Sequence, residues 1–245
     1  MKMRKSYKLK LLKNEFKGDK TYLVTGFQGF GAVGFLAPRY IVSKLTMDFI
    51  GYIEPPNIPD FTSIEDYGFS MPHEIFYRHL DNGCSVVVLL NRVNPERRYM
   101  FSFINEFLAL LKKIQIAEVV LFGGLDARFR EGEEEYRWLK TSSSKRELNA
   151  PYFIKGAYIV GPLASILISL QQNNIPAVAI LPYTQPETID HKAAAIAVKI
   201  LSSIISTEID VSELLSYAEK VEEIEKMIQE LYDQQIKKKE SVMHT

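Results

Sequence analysis

The sequence predicts an α/β protein, in which a mostly parallel sheet is sandwiched by helices in a three-layer arrangement with a helical extension at the C-terminal end. Three observations carry that reading. Near-continuous apolar runs recur at residues 22–24, 85–90, 119–122 and 177–181, as expected of strands covered on both faces. Segments with apolar residues at helical spacing lie between them. A glycine-rich turn, Gly26 to Gly34, joins the first such run to the first such helix. Strands that alternate with helices need crossover connections, and crossovers make neighbouring strands parallel.

Taken in order, Tyr7 to Leu12 alternates modestly and reads as an outer strand. The run Tyr22-Leu23-Val24 ends at Gly26, and Val33, Leu36 and Tyr40 give the first helix its apolar stripe. Phe49 to Ile53 is a second strand that stops at Glu54-Pro55-Pro56. Residues 57–73 are irregular, with short strand character at Phe61 to Ile64. His73 to Leu80 and Ser85 to Leu90, joined by Asp81-Asn82-Gly83, read as a hairpin. Asn94-Pro95-Glu96 is expected to open a helix whose stripe is Phe101, Ile104, Leu108 and Leu111. After the strand 119–122, residues 126–150 read as a polar loop, and Ile154 to Val160 as a strand. Gly161-Pro162 then opens a helix with Leu163, Ile166, Leu167 and Leu170 on one face. A last strand, 177–181, leads to a helix capped by Thr188 or Asp190, its core face Ala193, Ala197, Ile200 and Ile204. Residues 1–209 are expected to form a single domain. Residues 210–245 would add a charged helix, its seam Leu214, Ala218, Val221, Ile224, Ile228 and Leu231, and a short flexible tail.

Composition narrows the function. The 245 residues hold 30 Lys plus Arg against 30 Asp plus Glu, so no global field draws the chain to nucleic acid or an anionic membrane. Cys84 is the single cysteine, which leaves no disulfide framework and fits a cytoplasmic protein. The basic N-terminal stretch lacks the apolar core of a signal peptide. The longest uncharged run, 156–174, is too polar to span a bilayer.

Within the glycine turn, GFGAVG spells the dinucleotide-binding fingerprint, with Glu54 placed as its ribose acid. Against it, the strand ends three residues early, and Pro38 falls where the phosphate-facing helix should already be regular. A structural turn is therefore the preferred reading. His73 and His79 lack companions for a metal site and are expected on an exposed hairpin; His191 is expected in a solvated first turn. Ser142-x-x-Lys145 sits in a polar loop without supporting motifs. No cofactor is expected. In open α/β sheets, ligands sit beyond the carboxyl ends of the strands. The candidates there are Gln28, Gly29, Gly31, Glu54, Asn91, Arg92, Asp126, Thr184 and Asp190, with Arg92 suited to an anion and Asp126 or Asp190 to a base.

The order of motifs resembles the archaeal branch of the proteasome assembly chaperone 2 family. The resemblance rests on GFQGFGAVGFLAPRYIV, the strand ending IEPP, SVVVLL, EVVLFGGL, and the segment from GPLASILISL to SELLSYA, and spans roughly residues 20–220. It implies a phosphorylase/hydrolase-like α/β fold without an established catalytic centre, homo-oligomers, and in some members a part in assembling the proteasome α-ring. Active chaperones of this type end in a hydrophobic-Tyr-any tripeptide that docks between α subunits. Here the end is Met243-His244-Thr245, with His in place of Tyr, and Tyr232 lies within a similar pattern thirteen residues earlier. A His ring can stack but has no phenol hydroxyl. The readings to be separated are thus a protein-binding chaperone homologue, a nucleotide- or nucleoside-binding protein or enzyme, and a scaffold for a non-proteasomal partner.

Overall fold

A computed structural model describes residues 6–227 apart from 14, 15, 19, 222, 225 and 226. The C-terminal tripeptide, Tyr232 and the far end of the predicted seam lie outside the described residues.

In chain order the elements are β1 (Lys8–Leu11), β2 (Lys20–Gly26), α1 (Val33–Lys44), β3 (Asp48–Glu54), β4 (Ile64–Glu65), β5 (Gly68–Phe69), β6 (His73–His79) and β7 (Cys84–Asn91). There follow α2 (Met100–Ile114), β8 (Ile116–Phe122), β9 (Leu125–Asp126), β10 (Tyr136–Lys140), α3 (Gly161–Gln172), β11 (Ala177–Thr184) and α4 (His191–Ile205). The main sheet runs β1-β3-β6-β7-β2-β8-β11-β10, and β9 pairs with the end of β11. Its centre, β7-β2-β8-β11, is parallel; β6, β3 and β1 on one side and β10 on the other are antiparallel. A small hairpin, β4-β5, stands apart.

The four central strands explain the three layers residue by residue. Successive side chains of a strand point to opposite faces. Tyr22, Val24, Val86, Val88, Leu90, Val120, Phe122, Val178 and Ile180 therefore pack on α1 and α4, against Val33, Ala37, Ile41, Ala197 and Leu201. Their neighbours Leu23, Val87, Leu89, Val119, Leu121, Ala179 and Leu181 pack on α2 and α3, against Phe103, Phe107, Leu110, Ile166 and Leu170. A one-residue slip of any of these strands would exchange the two cores, so the register is tightly specified. The small Ala193, Ala194 and Ala197 of α4 let that helix lie close over the sheet.

Several elements depart from the sequence reading. The helix expected at Pro95 begins as a single tight turn, Arg97–Tyr99, and becomes α-helical only at Met100. Its buried face is Phe103, Phe107, Leu110, Leu111 and Ile114, whereas Phe101 is exposed. The predicted stripe was thus rotated by about a residue, because apolar side chains occupy both sides of this helix. The segment 126–150 is not all loop: it contains β10, antiparallel to β11, where Trp138 is buried and its indole N–H donates to the Ala150 carbonyl at 2.9 Å. Conversely, Ile154 to Val160 is not a strand; it turns at Gly156 and lies across the carboxyl end of the sheet without ladder pairing. On α4, Asp190 is the cap, its carboxylate accepting from the Ala193 N–H at 2.8 Å.

Residues 212–221 are helical. Leu214 inserts into the α1/α4 core, the Tyr40 hydroxyl donates to the Asp210 carbonyl at 2.8 Å, and Lys44 pairs with Glu213 at 2.8 Å. Beyond that first turn the apolar seam is left facing outward: Tyr217, Val221, Ile224 and Met227 are exposed. Among the described residues, no helix is long and apolar enough to cross a membrane.

Candidate functional site

The connections leaving β2 and β8 go to opposite faces, α1 on one and α3 on the other. Adjacent strands whose connections diverge in this way open a crevice beyond their carboxyl ends, where α/β proteins bind ligands.

The glycine turn forms one wall of that crevice. Gly31 has φ +63°, a left-handed conformation open to glycine at little cost, and a Cβ there would collide with the Thr184 side chain. Gly34 lies against the backbone of Phe27 and Phe122, so any side chain would push α1 off the sheet. Pro38 sits one turn further on and has no N–H to give the Gly34 carbonyl, which instead lies over Gly26. The loop is pinned from the far side by the Asp190 N–H, which donates to the Gly31 carbonyl at 3.0 Å. The glycines thus serve a tight turn and close helix–strand contact.

Most of the polar candidates are engaged by the protein itself. Asn91 is fully buried at the end of β7. Its amide donates to the Thr25 hydroxyl at 3.0 Å and the Gly26 carbonyl at 2.9 Å, so its oxygen must be the atom facing His73 Nδ1 at 2.8 Å. That assigns the imidazole proton to Nδ1. His73 is buried among Tyr7, Phe103 and Asn91, contrary to the expected exposed hairpin, and burial drops its imidazole to about 4 despite the bond to Asn91. His79, by contrast, is exposed, with Nδ1 at 3.0 Å from the Ser85 hydroxyl. His191 is partly buried rather than solvated, its ring tilted over Tyr217 of the final helix.

Arg92 is engaged at all three of its nitrogens by the protein itself. Its Nε donates to Glu74 at 2.6 Å, one terminal nitrogen pairs with Glu65 at 2.8 Å, and the other donates to the Tyr67 hydroxyl at 2.8 Å. Glu74 is fully buried and also accepts from Tyr67 and the Met71 N–H. Burial and the Glu74 charge push the Tyr67 phenol upward. This network fastens the β4-β5 hairpin to the sheet, with Tyr67 stacked flat on Phe49. Asp126 accepts from the Arg128 N–H and pairs with its guanidinium, whose bonds hold the carboxyl below the usual range. Asp190 caps α4, and the buried Thr184 hydroxyl donates to the Gln185 carbonyl at 3.3 Å.

What the crevice does hold is an apolar cavity of about 430 Å³. Phe27, Phe122, Leu125, Leu163 and Leu181 form its inner walls, and Phe30, Phe129, Phe153, Tyr158 and Val160 its mouth. Of the nine candidates only Gln28 and Gly29 line it; the Gln28 side chain donates to the Arg92 carbonyl at 2.8 Å. Glu54 lines a separate cavity beside residues 58–62. The segment Ile154 to Val160, read from sequence as a strand, roofs the cavity together with Phe153. The missed signal was Gly156, which marks a turn inside that apolar run. Among the described residues no cluster of His, Cys, Asp and Glu could hold a metal ion.

The site is thus an apolar crevice in a three-layer α/β domain, beside which Arg92, Asp126 and Asp190 are each engaged in internal bonds. The profile of the PAC2 family matches residues 23–231, and the chain belongs to that family. Among solved structures it is similar to Pyrococcus furiosus PbaB, an archaeal proteasome activator, at 17% identity and TM-score 0.76, with 92% of this chain and 99% of that chain covered. It is also similar to Pyrococcus furiosus PbaA, an archaeal homolog of proteasome-assembly chaperone, at 20% identity and TM-score 0.74 over 95% and 96% of the two chains. A Mycobacterium tuberculosis proteasome-assembly chaperone homologue matches at 16% identity and TM-score 0.65, over 84% and 94%. At such identities the likeness is one of fold. No curated protein is significantly similar in sequence.

Proposed function

We propose that this protein is a non-enzymatic, homo-oligomeric scaffold that binds proteasome α subunits as an assembly chaperone homologue. Membership of the PAC2 family is the observation that carries the reading. Two features of the chain support it. The strand-end groups suited to acid–base work or anion binding, Arg92, Asp126 and Asp190, are each committed to a structural bond. The final helix, past Leu214, leaves Tyr217, Val221, Ile224 and Met227 uncovered, an apolar seam suited to a protein partner. On this reading the helices of several copies present residues 236–245, ending Met243-His244-Thr245, to an α-ring. The test is capture of purified α subunits by the full chain and by a chain lacking residues 234–245. Capture lost on truncation is expected; no capture by either form rejects the assembly role.

A further inference from the structure

We propose that the strand-end cavity is a binding site for a small, uncharged, largely hydrocarbon molecule with one or two rings. The site is distinct in chemistry from the nucleotide cradle that GFGAVG suggests. Protein interiors seldom leave voids larger than a water molecule, and this one opens at the strand ends beside the closely packed α2/α3 core. Its volume of about 430 Å³ is that of a ligand site; such sites run from about 300 to 1,000 Å³. The space exists because β8 ends in Gly123-Gly124. A Cβ on Gly123 would come within 2.8 Å of Leu163 and 3.0 Å of Leu181, so any side chain there would close the floor. Phe27, Leu163 and Leu181 line its depth, and Phe129 and Tyr158 flank the mouth.

The walls also select against charge. Among the described residues, no charged side chain lines the cavity. Several of the polar groups that do are already partnered: Gln28 through its side-chain N–H and its backbone carbonyl, Gly29 through its carbonyl to the Ala32 N–H, and Gly123 through its N–H to the Ile180 carbonyl. A phosphate or carboxylate entering here would lose its hydration without repayment. An apolar molecule loses nothing and displaces space that water does not favour.

Gly29 offers a clean perturbation, because its backbone is extended (φ −164°) and a Cβ on it meets nothing within 4 Å. Ala157, exposed in the roof, offers a second. The experiment titrates the full chain with N-phenyl-1-naphthylamine, an uncharged dye that brightens on leaving water. Saturable, one-to-one binding is expected. Gly29→Leu and Ala157→Trp should each weaken it by about tenfold or more while leaving the thermal unfolding transition in place; should one variant fail to fold, the other decides. Phe69→Ser, on the distant and equally exposed β4-β5 hairpin, should leave binding unchanged. The anionic analogue 1-anilinonaphthalene-8-sulfonate should bind about tenfold more weakly than the neutral dye. Non-saturable binding, wild-type affinity in the mouth variants, loss in Phe69→Ser, or equal binding of the sulfonate would each overturn the proposal.

Discussion

At the scale of single residues, His73 has the most measurable consequence. Its native value of about 4 lies below the ordinary 6.5, so between those pH values the unfolded chain takes up a proton that the folded chain refuses. Stability contributed by the neutral ring is therefore whole above pH 6.5 and lost as pH falls toward 4. The gap is worth roughly 3 kcal/mol at most, by the free energy of a pKa displacement. Denaturant midpoints at pH 7 and pH 4.5 should show a larger drop in the native protein than in H73Q; equal drops would place the sensitivity elsewhere. None of this was legible in HEIFYRH. The alternation assigns faces to β6 but does not disclose that both are covered, one by Phe103 and Tyr7 and the other by Phe49 and Tyr67. The polar strand-end residues were legible as a set, since they follow strands. Their partners, such as Glu74 for Arg92, are distant in sequence and were not.

At the scale of elements, the sequence was most readable where one periodicity had no rival. The four central strands, the turn at Asp81-Asn82-Gly83, the α3 face and the cap at Asp190 all follow from local residues. On α2 the pattern MFSFINEFLALLKKI is apolar on more than one side, so two stripes compete and packing on β8 and α3 decides. Phe107→Ala should then cost about 3–5 kcal/mol, as for other buried Phe truncations. Phe101→Ala should stay within about 0.5 kcal/mol. Parallel chemical denaturation of the two variants distinguishes the faces, and the reverse ranking would refute the assignment. β10 was hidden for a different reason. Its buried Arg137 reads as surface until Tyr183, Glu131 and Glu134 are found around it.

At the scale of the whole molecule, the α/β class and the parallel centre were visible in the alternation of runs, whereas the antiparallel flanks depend on which strand reaches which edge. The final helix carries the clearest whole-molecule expectation. Val221 and Ile224 touch solvent, so V221D/I224D should leave the unfolding free energy of the domain within about 0.5 kcal/mol. If the seam joins copies of this chain, the same variant should sediment as a smaller species than the native protein. Unchanged sedimentation would send self-association to another surface.

The outer border of β1 limits which surface that is. It exposes Lys8 and Lys10, and the N–H groups of Tyr7 and Leu9 donate to the Ser102 hydroxyl and the Glu106 carboxylate of α2, each at 2.8 Å, instead of to a further strand. A second sheet zipping onto that border would bring ammonium groups together, and such borders resist continuation into larger sheets. If copies of this protein associate as proposed, that border turns them away from open-ended stacking through the backbone and toward contacts between side chains, where association can stop at a fixed number.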